Sequence, residues 1–337
     1  MFFHFCEKPD RGRATMPESF PLVSIVTPIF NEAGNVALLA SRLVEVFQAH
    51  PEVSWEWVAV DDGSTDGTES KLREVINAAP RWQLIQLSRN FGQQSALRAG
   101  LDAASGGAVI FLDADLQDPP GLIPEMVARW KAGAKVVFAV RRSRGESRAR
   151  QFLVSLFHRC FHALAGGRMP LDSGNFGLCD REVADILRKL PEHDAFLPAL
   201  RAWTGFPAAV VEYDRLSRHS GSGLPLLKLA GFAWSAVTAF SDLPLRLIFL
   251  AGLVISSVGF AYGAILFAQR ILQFFGFFKE LEVLGFTTVA VAVFFMGGVQ
   301  LLSLGIIGEY LARIYREAKG RPHFIVARRE SGGKDIP

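Results

Sequence analysis

Two uncharged runs constrain this chain more than any other feature of it. Residues 247–268 (LIFLAGLVISSVGFAYGAILFA) carry no charge over 22 positions, and residues 284–307 (LGFTTVAVAVFFMGGVQLLSLGII) carry none over 24. At about 1.5 Å of rise per residue, each is long enough to cross a hydrocarbon layer of about 30 Å. Helices in the core of a soluble domain keep a polar face, so both runs are expected to span a membrane. Their flanks set the orientation. Arg313, Arg316, Lys319, Arg321, Arg328 and Arg329 follow the second run, and Arg215, Arg218, Lys228 and Arg246 precede the first. The connection 269–283 holds only Arg270 and Lys279, beside Glu280 and Glu282. The positive-inside rule then predicts a multi-pass protein of the cytoplasmic (inner) membrane, with its soluble domain and both termini in the cytoplasm.

Half of the 337 residues are hydrophobic and only 20% are charged, and that apolar excess sits in the C-terminal third. Residues 21–223 read as a soluble domain, 224–243 as a juxtamembrane amphipathic helix, 244–310 as the two spans and 311–337 as a basic cytoplasmic tail. Residues 1–20 read as a loose extension without a signal-peptide core, with Met1 and Met16 both open as translation starts. Cys6, Cys160 and Cys179 are odd in number and lack CxxC spacing, which argues against a disulfide framework or a zinc site. A net charge of +3, distributed in this way, suits a membrane surface and not nucleic acid. Gly297, Gly298, Gly305 and Gly308 allow close helix packing, so a homo-oligomer is expected.

In the soluble part, β-rich runs alternate with helical patterns. The predicted strands are VSIVTPIF (23–30), WEWVAVD (55–61), WQLIQLS (82–88), AVIFLDAD (108–115) and KVVFAVR (135–141). Helical stretches at 35–48, 68–79 and 93–104 separate them. This order predicts an α/β fold, a mostly parallel sheet with helices on both faces. Ligands of such sheets bind beyond the carboxyl ends of the strands, where Asp61, Asp62, Asp113 and Asp115 fall.

Asp113 and Asp115 in FLDADLQDPP are hard oxygen ligands at a crevice, suited to Mg²⁺ or Mn²⁺ on substrate phosphates. In VDDGSTDGT (60–68), Gly63 and Gly67 permit tight turns, and Ser64, Thr65 and Asp66 suit a helix cap. Asp61 and Asp62 are thereby placed at the rim, able to accept from a base or ribose.

Together TPIFNE (27–32), VDDGSTDGT, SRNFGQQSALRAGLDAASG (88–106), FLDADLQDPP and GGVQLLSLGIIGEYLARIYREAKGRPHFIV (297–326) resemble the family 2 glycosyltransferases. The type they resemble most is the polyprenyl-phosphate (undecaprenyl- or dolichyl-phosphate) glycosyltransferase, a GT-A domain followed by two C-terminal spans. The resemblance runs from Val23 to Val326. It implies that Pro28, Phe30, Glu32, Asp61, Asp62 and Asp113 surround the nucleotide sugar, and that Asp113, Asp115 and Gln117 hold the divalent metal. Arg218, with Arg142 and Arg215, would bind phosphate. Asp118 would cap the helix that follows Pro119 and Pro120. The implied reaction is inverting transfer of a sugar from a nucleotide diphosphate, glucose from UDP-glucose first, to a polyprenyl phosphate held in the bilayer. GDP-mannose and a UDP-aminosugar or pentose are the alternative donors.

One segment departs from the pattern. Relatives carry an acid and an arginine in a stretch resembling DTGDFRL, whereas this chain reads LDSGNFGL (171–178), with Asn175 and Gly177 at those two places. Asn175 cannot act as a carboxylate base. A phosphate acceptor with a second pKa of about 6 is already largely ionised at pH 7 and needs none. Asn175 is therefore expected to orient the site, with Asp115 and Arg218 completing the catalytic set. Asp172 is a candidate substitute acid. A scaffold protein that has lost transfer activity is the competing class.

Overall fold

The computed structural model describes residues 22–77, 79–142, 170, 173–192, 196–214, 243–275, 285–332 and 334–335. A nine-stranded sheet organises the soluble part, in the order β7-β5-β6-β4-β1-β2-β3-β8-β9. Its parallel centre consists of β1 (Leu22–Ile29), β2 (Ser54–Asp61), β3 (Trp82–Leu87) and β4 (Ala108–Phe111). Val, Ile and Trp dominate these runs and are buried on both faces, as a helix-covered parallel sheet requires.

The flanks of the sheet are mixed. β6 (Ser173–Asp180) runs antiparallel between β4 and β5 (Val136–Arg141), and β5 pairs in parallel with β7 (Ala208–Tyr213). On the other edge β8 (Val326–Ser331) is antiparallel to β3, and β9 (Lys334–Asp335) follows it. The parallel centre is as the alternating pattern implied; of the added strands, β6, β8 and β9 pair antiparallel and β7 pairs in parallel with β5.

Helices pack on both faces. α1 (Val36–Ala49) buries Val36, Leu39, Ala40, Leu43 and Phe47, one face at helical spacing. With α2 (Thr68–Ile76) and α4 (Ile123–Lys131), it closes one core over Ile25, Trp57 and Ile110. α3 (Gln93–Ala103), α5 (Arg181–Lys189) and α6 (Leu197–Trp203) close the other over Val26, Val58 and Phe111. Asp180 caps α5 by accepting from Glu182 N at 3.0 Å, and also takes Trp130 Nε1 at 2.7 Å.

Two long helices follow, α7 (Leu243–Phe274) and α8 (Gly285–Ala318). Both are long and apolar enough to cross a membrane: the candidate spans are Leu243–Gln269 and Val291–Ala318, each with a stretch of mean hydropathy 2.0 that is not buried. The expected extension 1–20 and nearly all of the juxtamembrane segment 224–243 lie outside the described residues. The stretch read as a basic tail behaves otherwise. α8 continues to Ala318, and the chain then returns to the sheet as β8, with Ser88 N donating to Ile325 O at 2.9 Å. Glu330 on β8 pairs with Arg73 Nε at 3.0 Å and Arg328 Nε at 2.9 Å, so a run of basic residues fits at a strand edge. Between α8 and β8, His323 Nε2 lies 3.0 Å from Arg98 Nη1 on α3.

Candidate active site

The carboxyl ends of β1, β2 and β4 open into a crevice of about 340 Å³. Pro28, Phe30, Glu32, Asp62, Asp113 and Asp115 line it, together with Asn90 and Gln93. Six of the residues expected at the site thus converge on one space. Two non-glycine residues with left-handed backbone flank it, Asn31 at φ 55° and Leu116 at φ 58°. Such conformations cost about 1–3 kcal/mol and cluster at functional sites.

The DDGS loop is held by its neighbours. Asp62 Oδ1 accepts from Phe91 N at 2.7 Å and Oδ2 from Gly92 N at 2.9 Å, tying the loop after β2 to the one before α3. Gly63 makes this approach possible: at φ 72°, a Cβ there would lie 2.6 Å from the Arg89 carbonyl carbon. Ser64 Oγ accepts from Asn31 N at 3.0 Å, and Asp66 accepts from Ala33 N at 3.2 Å and Thr68 N at 3.1 Å. These residues staple the β1 and β2 loops, and Asp66 meets the first amide of α2, whose N-cap is Gly67 with no side-chain cap. Asp61 differs from expectation. It is fully buried, outside the crevice lining, with Oδ1 on Ser64 N at 3.0 Å and Oδ2 unpaired. Burial raises the pKa of both Asp61 and Asp62.

Asp113 stands two residues beyond β4. Burial, with Asp118 and Asp115 nearby, pushes its pKa up to about 6, while Arg141 and a bond from the Asn175 side chain pull it down. Gln93 Nε2 also donates to it at 2.9 Å. Asp115 Oδ1 accepts from Gln117 N at 3.1 Å. Gln117 is 5% exposed, outside the crevice lining, and its Nε2 has no partner.

Would this set hold a divalent cation? Among the described residues no group of three or more His, Cys, Asp or Glu forms a complete cage. Asp113 and Asp115 supply two hard oxygens, and at Asp113 the crowding of carboxylates and the burial outweigh the opposing charge of Arg141. That fits Mg²⁺ or Mn²⁺, which take one or two carboxylates and complete the shell with water and substrate phosphate.

Asp118 is not a helix cap. Its side chain is fully buried, accepts from Tyr213 Oη and lies 3.6 Å from Arg141 Nη2, and the turn Pro120–Leu122 has no side-chain cap. The adjacent arginines divide. Arg141 faces Asp118 and Tyr213, donating from Nε to Tyr213 Oη at 2.9 Å, whereas Arg142 is exposed and paired with Glu212 at 3.0 Å. Neither arginine is among the residues that line the crevice. Arg215, Arg218 and Asp172 lie outside the described residues.

Asn175, on β6, is joined to the site through α3. Its Oδ1 accepts from Gln94 Nε2 at 3.1 Å, and Gln94 Oε1 accepts from Leu197 N at 3.0 Å. Gln93 and Gln94 were not singled out from sequence, although their motif was; only the fold shows that they reach the carboxylates. Gly177, where relatives were expected to carry an arginine, adjoins the buried guanidinium of Arg201.

Comparison with known proteins agrees with this architecture. The profile of glycosyl transferase family 2 matches residues 24–184, and that of the GtrB C-terminal hairpin matches residues 243–314. An uncharacterized glycosyltransferase of Synechocystis is 40% identical over 90% of this chain and 94% of its own length. A bactoprenol glucosyl transferase of Shigella phage SfII is 36% identical over 92% and 99% respectively. A crystal structure of glucosyl-3-phosphoglycerate synthase from Mycobacterium tuberculosis overlaps 65% of this chain and 76% of that one, at 20% identity and a TM-score of 0.48. The chain belongs to glycosyl transferase family 2, as a GT-A domain carrying a C-terminal GtrB-type hairpin.

Proposed function

We propose that this enzyme transfers glucose from UDP-glucose to a polyprenyl phosphate, making a lipid-linked sugar donor for cell-surface glycans. The observation that carries the reading is the crevice: Asp62, Asp113 and Asp115 lie on one rim, in a chain joined to two membrane-length helices. The identity to bactoprenol glucosyl transferases, 34–37% over at least 90% of the chain, supports the donor and carrier chosen here.

The nucleoside would lie against Pro28, Phe30, Glu32 and Asp62, with its diphosphate at Asp113 and Asp115. A divalent cation there would neutralise charge growing on the departing diphosphate. Asp113 and Asp115 hold it, with Gln117 a further donor if its side chain turns toward the crevice. The acceptor phosphate is itself the nucleophile, so no side chain has to remove a proton. Its oxygen attacks the anomeric carbon as the bond to the diphosphate breaks, and the electron pair leaves with UDP. Attack from the opposite side inverts the centre and yields a β-linked glucosyl phospholipid from an α-linked donor. Arg141, whose charge is felt at Asp113, would receive the acceptor phosphate, with Arg215 and Arg218 as further candidates. Asn175 orients Asp113 by a neutral bond. The basic flanks of both helices support a catalytic domain held at the cytoplasmic headgroup layer.

The test is transfer by the purified full-length protein in detergent, with labelled UDP-glucose, undecaprenyl phosphate and Mg²⁺ or Mn²⁺. Label passing into the organic phase is expected. Failure with UDP-glucose but success with GDP-mannose or a UDP-aminosugar would change the sugar and keep the reaction. Failure with every donor would overturn it.

A further inference from the structure

Arg201 is the most completely buried cation among the described residues, at 1% exposure. Its guanidinium lies 5.4 Å from the ring centres of both Phe111 and Phe138. Nη2 donates to Gly174 O at 3.0 Å and to Asn175 O at 2.9 Å, while Nε and Nη1 have no hydrogen-bond partner. Among the described residues no carboxylate pairs with it, and burial lowers its pKa to about 10, so it is still charged at neutral pH. A leucine or methionine would fill the same apolar hole without desolvating a charge. The arginine therefore needs a reason, and its two bonds provide one: both go to the backbone beside the crevice.

The room for it comes from residue 177. A Cβ on Gly177 would lie 2.6 Å from Arg201 Nη1 and 2.5 Å from Val137 O, at a backbone φ of 156°. Residues 175 and 177 are two apart on β6 and share a face of the sheet. The guanidinium thus occupies the space that a side chain at 177 would take, next to Asn175 on the same strand. α6 reaches Asn175 twice: at its first residue, through Leu197 N and Gln94, and one turn later through Arg201.

We propose that Arg201 is a positioning residue for transfer, clamping β6 at residues 174–175 so that the Asn175 amide is presented to Asp113, with Gly177 as the gap that admits it. This rests on the proposed function in placing Asp113 at the donor diphosphate. The clamp acts on geometry at the metal and diphosphate and leaves the nucleoside contacts at Phe30 and Asp62 alone. Its loss should lower kcat more than it raises KM for UDP-glucose.

A double-mutant cycle of Arg201→Met and Asn175→Ala in the full-length protein tests this, read both as kcat and as Mn²⁺ affinity in the presence of UDP. Arg201→Met is expected to lower kcat by about 10–100-fold, the scale of a small misplacement of catalytic groups, with KM for UDP-glucose changed less than about threefold. The double variant is expected to be no worse than the poorer single one, because both changes break the same chain of contacts. Arg201→Lys, which keeps the charge and one carbonyl bond, should recover part of the loss; it also serves if Arg201→Met fails to fold. Multiplicative effects in the cycle, or a lower melting temperature with kcat intact, would overturn the clamp and leave Arg201 as packing. If the wild-type protein transfers no sugar, the proposed function fails, and the same non-multiplicative pattern in Mn²⁺ affinity decides the clamp.

Discussion

The sheet carries a carboxylate group at each end of its central strands, and the two are built in opposite ways. At the amino end of β2, Glu56 accepts from Ser24 Oγ, Ser105 N, Ser105 Oγ and Gln83 Nε2, and it is 5% exposed. At the carboxyl end, Asp113, Asp115 and Asp118 repel one another, Asp118 Oδ2 lacks a partner, and Leu116 between them has a left-handed backbone. The first cluster is satisfied by the protein alone. Among the described residues the second has Arg141 beside Asp113 and Asp118 as its cation, and a substrate with its own cation can add positive charge there. Carboxylates thus mark function where they crowd together at a crevice and structure where hydrogen-bond donors surround them.

Exchanging the consequences of mutation between the two ends would break this comparison. Asp115→Asn should lower transfer by about 10²–10³-fold or more, starting from the scale of losing a charge-stabilising group, with little change in melting temperature. Glu56→Ala should do the reverse. It strands the donors of Ser24 and Ser105, so a loss of about 2–4 kcal/mol in stability is expected from chemical or thermal denaturation. The specific activity of the folded fraction should be unchanged.

The metal-free protein offers a sharper contrast through pH. Asp113 has a folded pKa raised to about 6 from 3.8, so the folded state holds its proton more tightly than the unfolded one. Its contribution is therefore favourable at low pH and is lost as pH rises from about 4 through 6, by at most about 3 kcal/mol. Asp113→Asn should raise the melting temperature at pH 7.5 in chelator, and the gain should shrink toward pH 4.5. A smaller effect separates the neighbouring arginines: Arg142→Ala breaks an exposed pair with Glu212 and should cost no more than about 1 kcal/mol. Its activity should stay near wild type, while Arg141→Ala should raise KM for the lipid phosphate. Smallest of all, Cys179 is buried and its thiol pKa is pushed up to about 12, so alkylating reagents should leave it unmodified until the domain unfolds.

Much of the parallel half of this architecture was legible because its signals are local. β1, β2, β3 and β4 are β-branched or aromatic runs, each ending near a carboxylate or a turn, and the two apolar helices announce themselves by length. The strands that escaped notice depend on partners far away. β6, SGNFGLCD, has two glycines and an asparagine and little strand propensity of its own; β4 and β5 hold it between them. β8, VARRES, reads as a charged tail until the free edge of β3 and the Arg73–Glu330 pair are considered. Asp118 illustrates the same limit within the site. Two prolines after it suggest a helix start, but its carboxylate turns inward to Tyr213, 95 residues later. Asp113 and Asp115 were readable as a pair at a strand end; the amides of Gln93 and Asn175 that hold Asp113 were not, because three separate elements bring them together.

The most direct test of the account is a metal titration of transfer. Protein stripped of divalent ions by chelator would be supplied with UDP-glucose and undecaprenyl phosphate, then titrated with Mn²⁺, with Asp115→Asn and Glu56→Gln measured alongside. The account predicts lipid-linked glucose that rises with Mn²⁺ for wild type and Glu56→Gln and stays absent for Asp115→Asn. Transfer that persists in chelator and in Asp115→Asn would contradict it, because the carboxylate rim could not then be where the diphosphate departs.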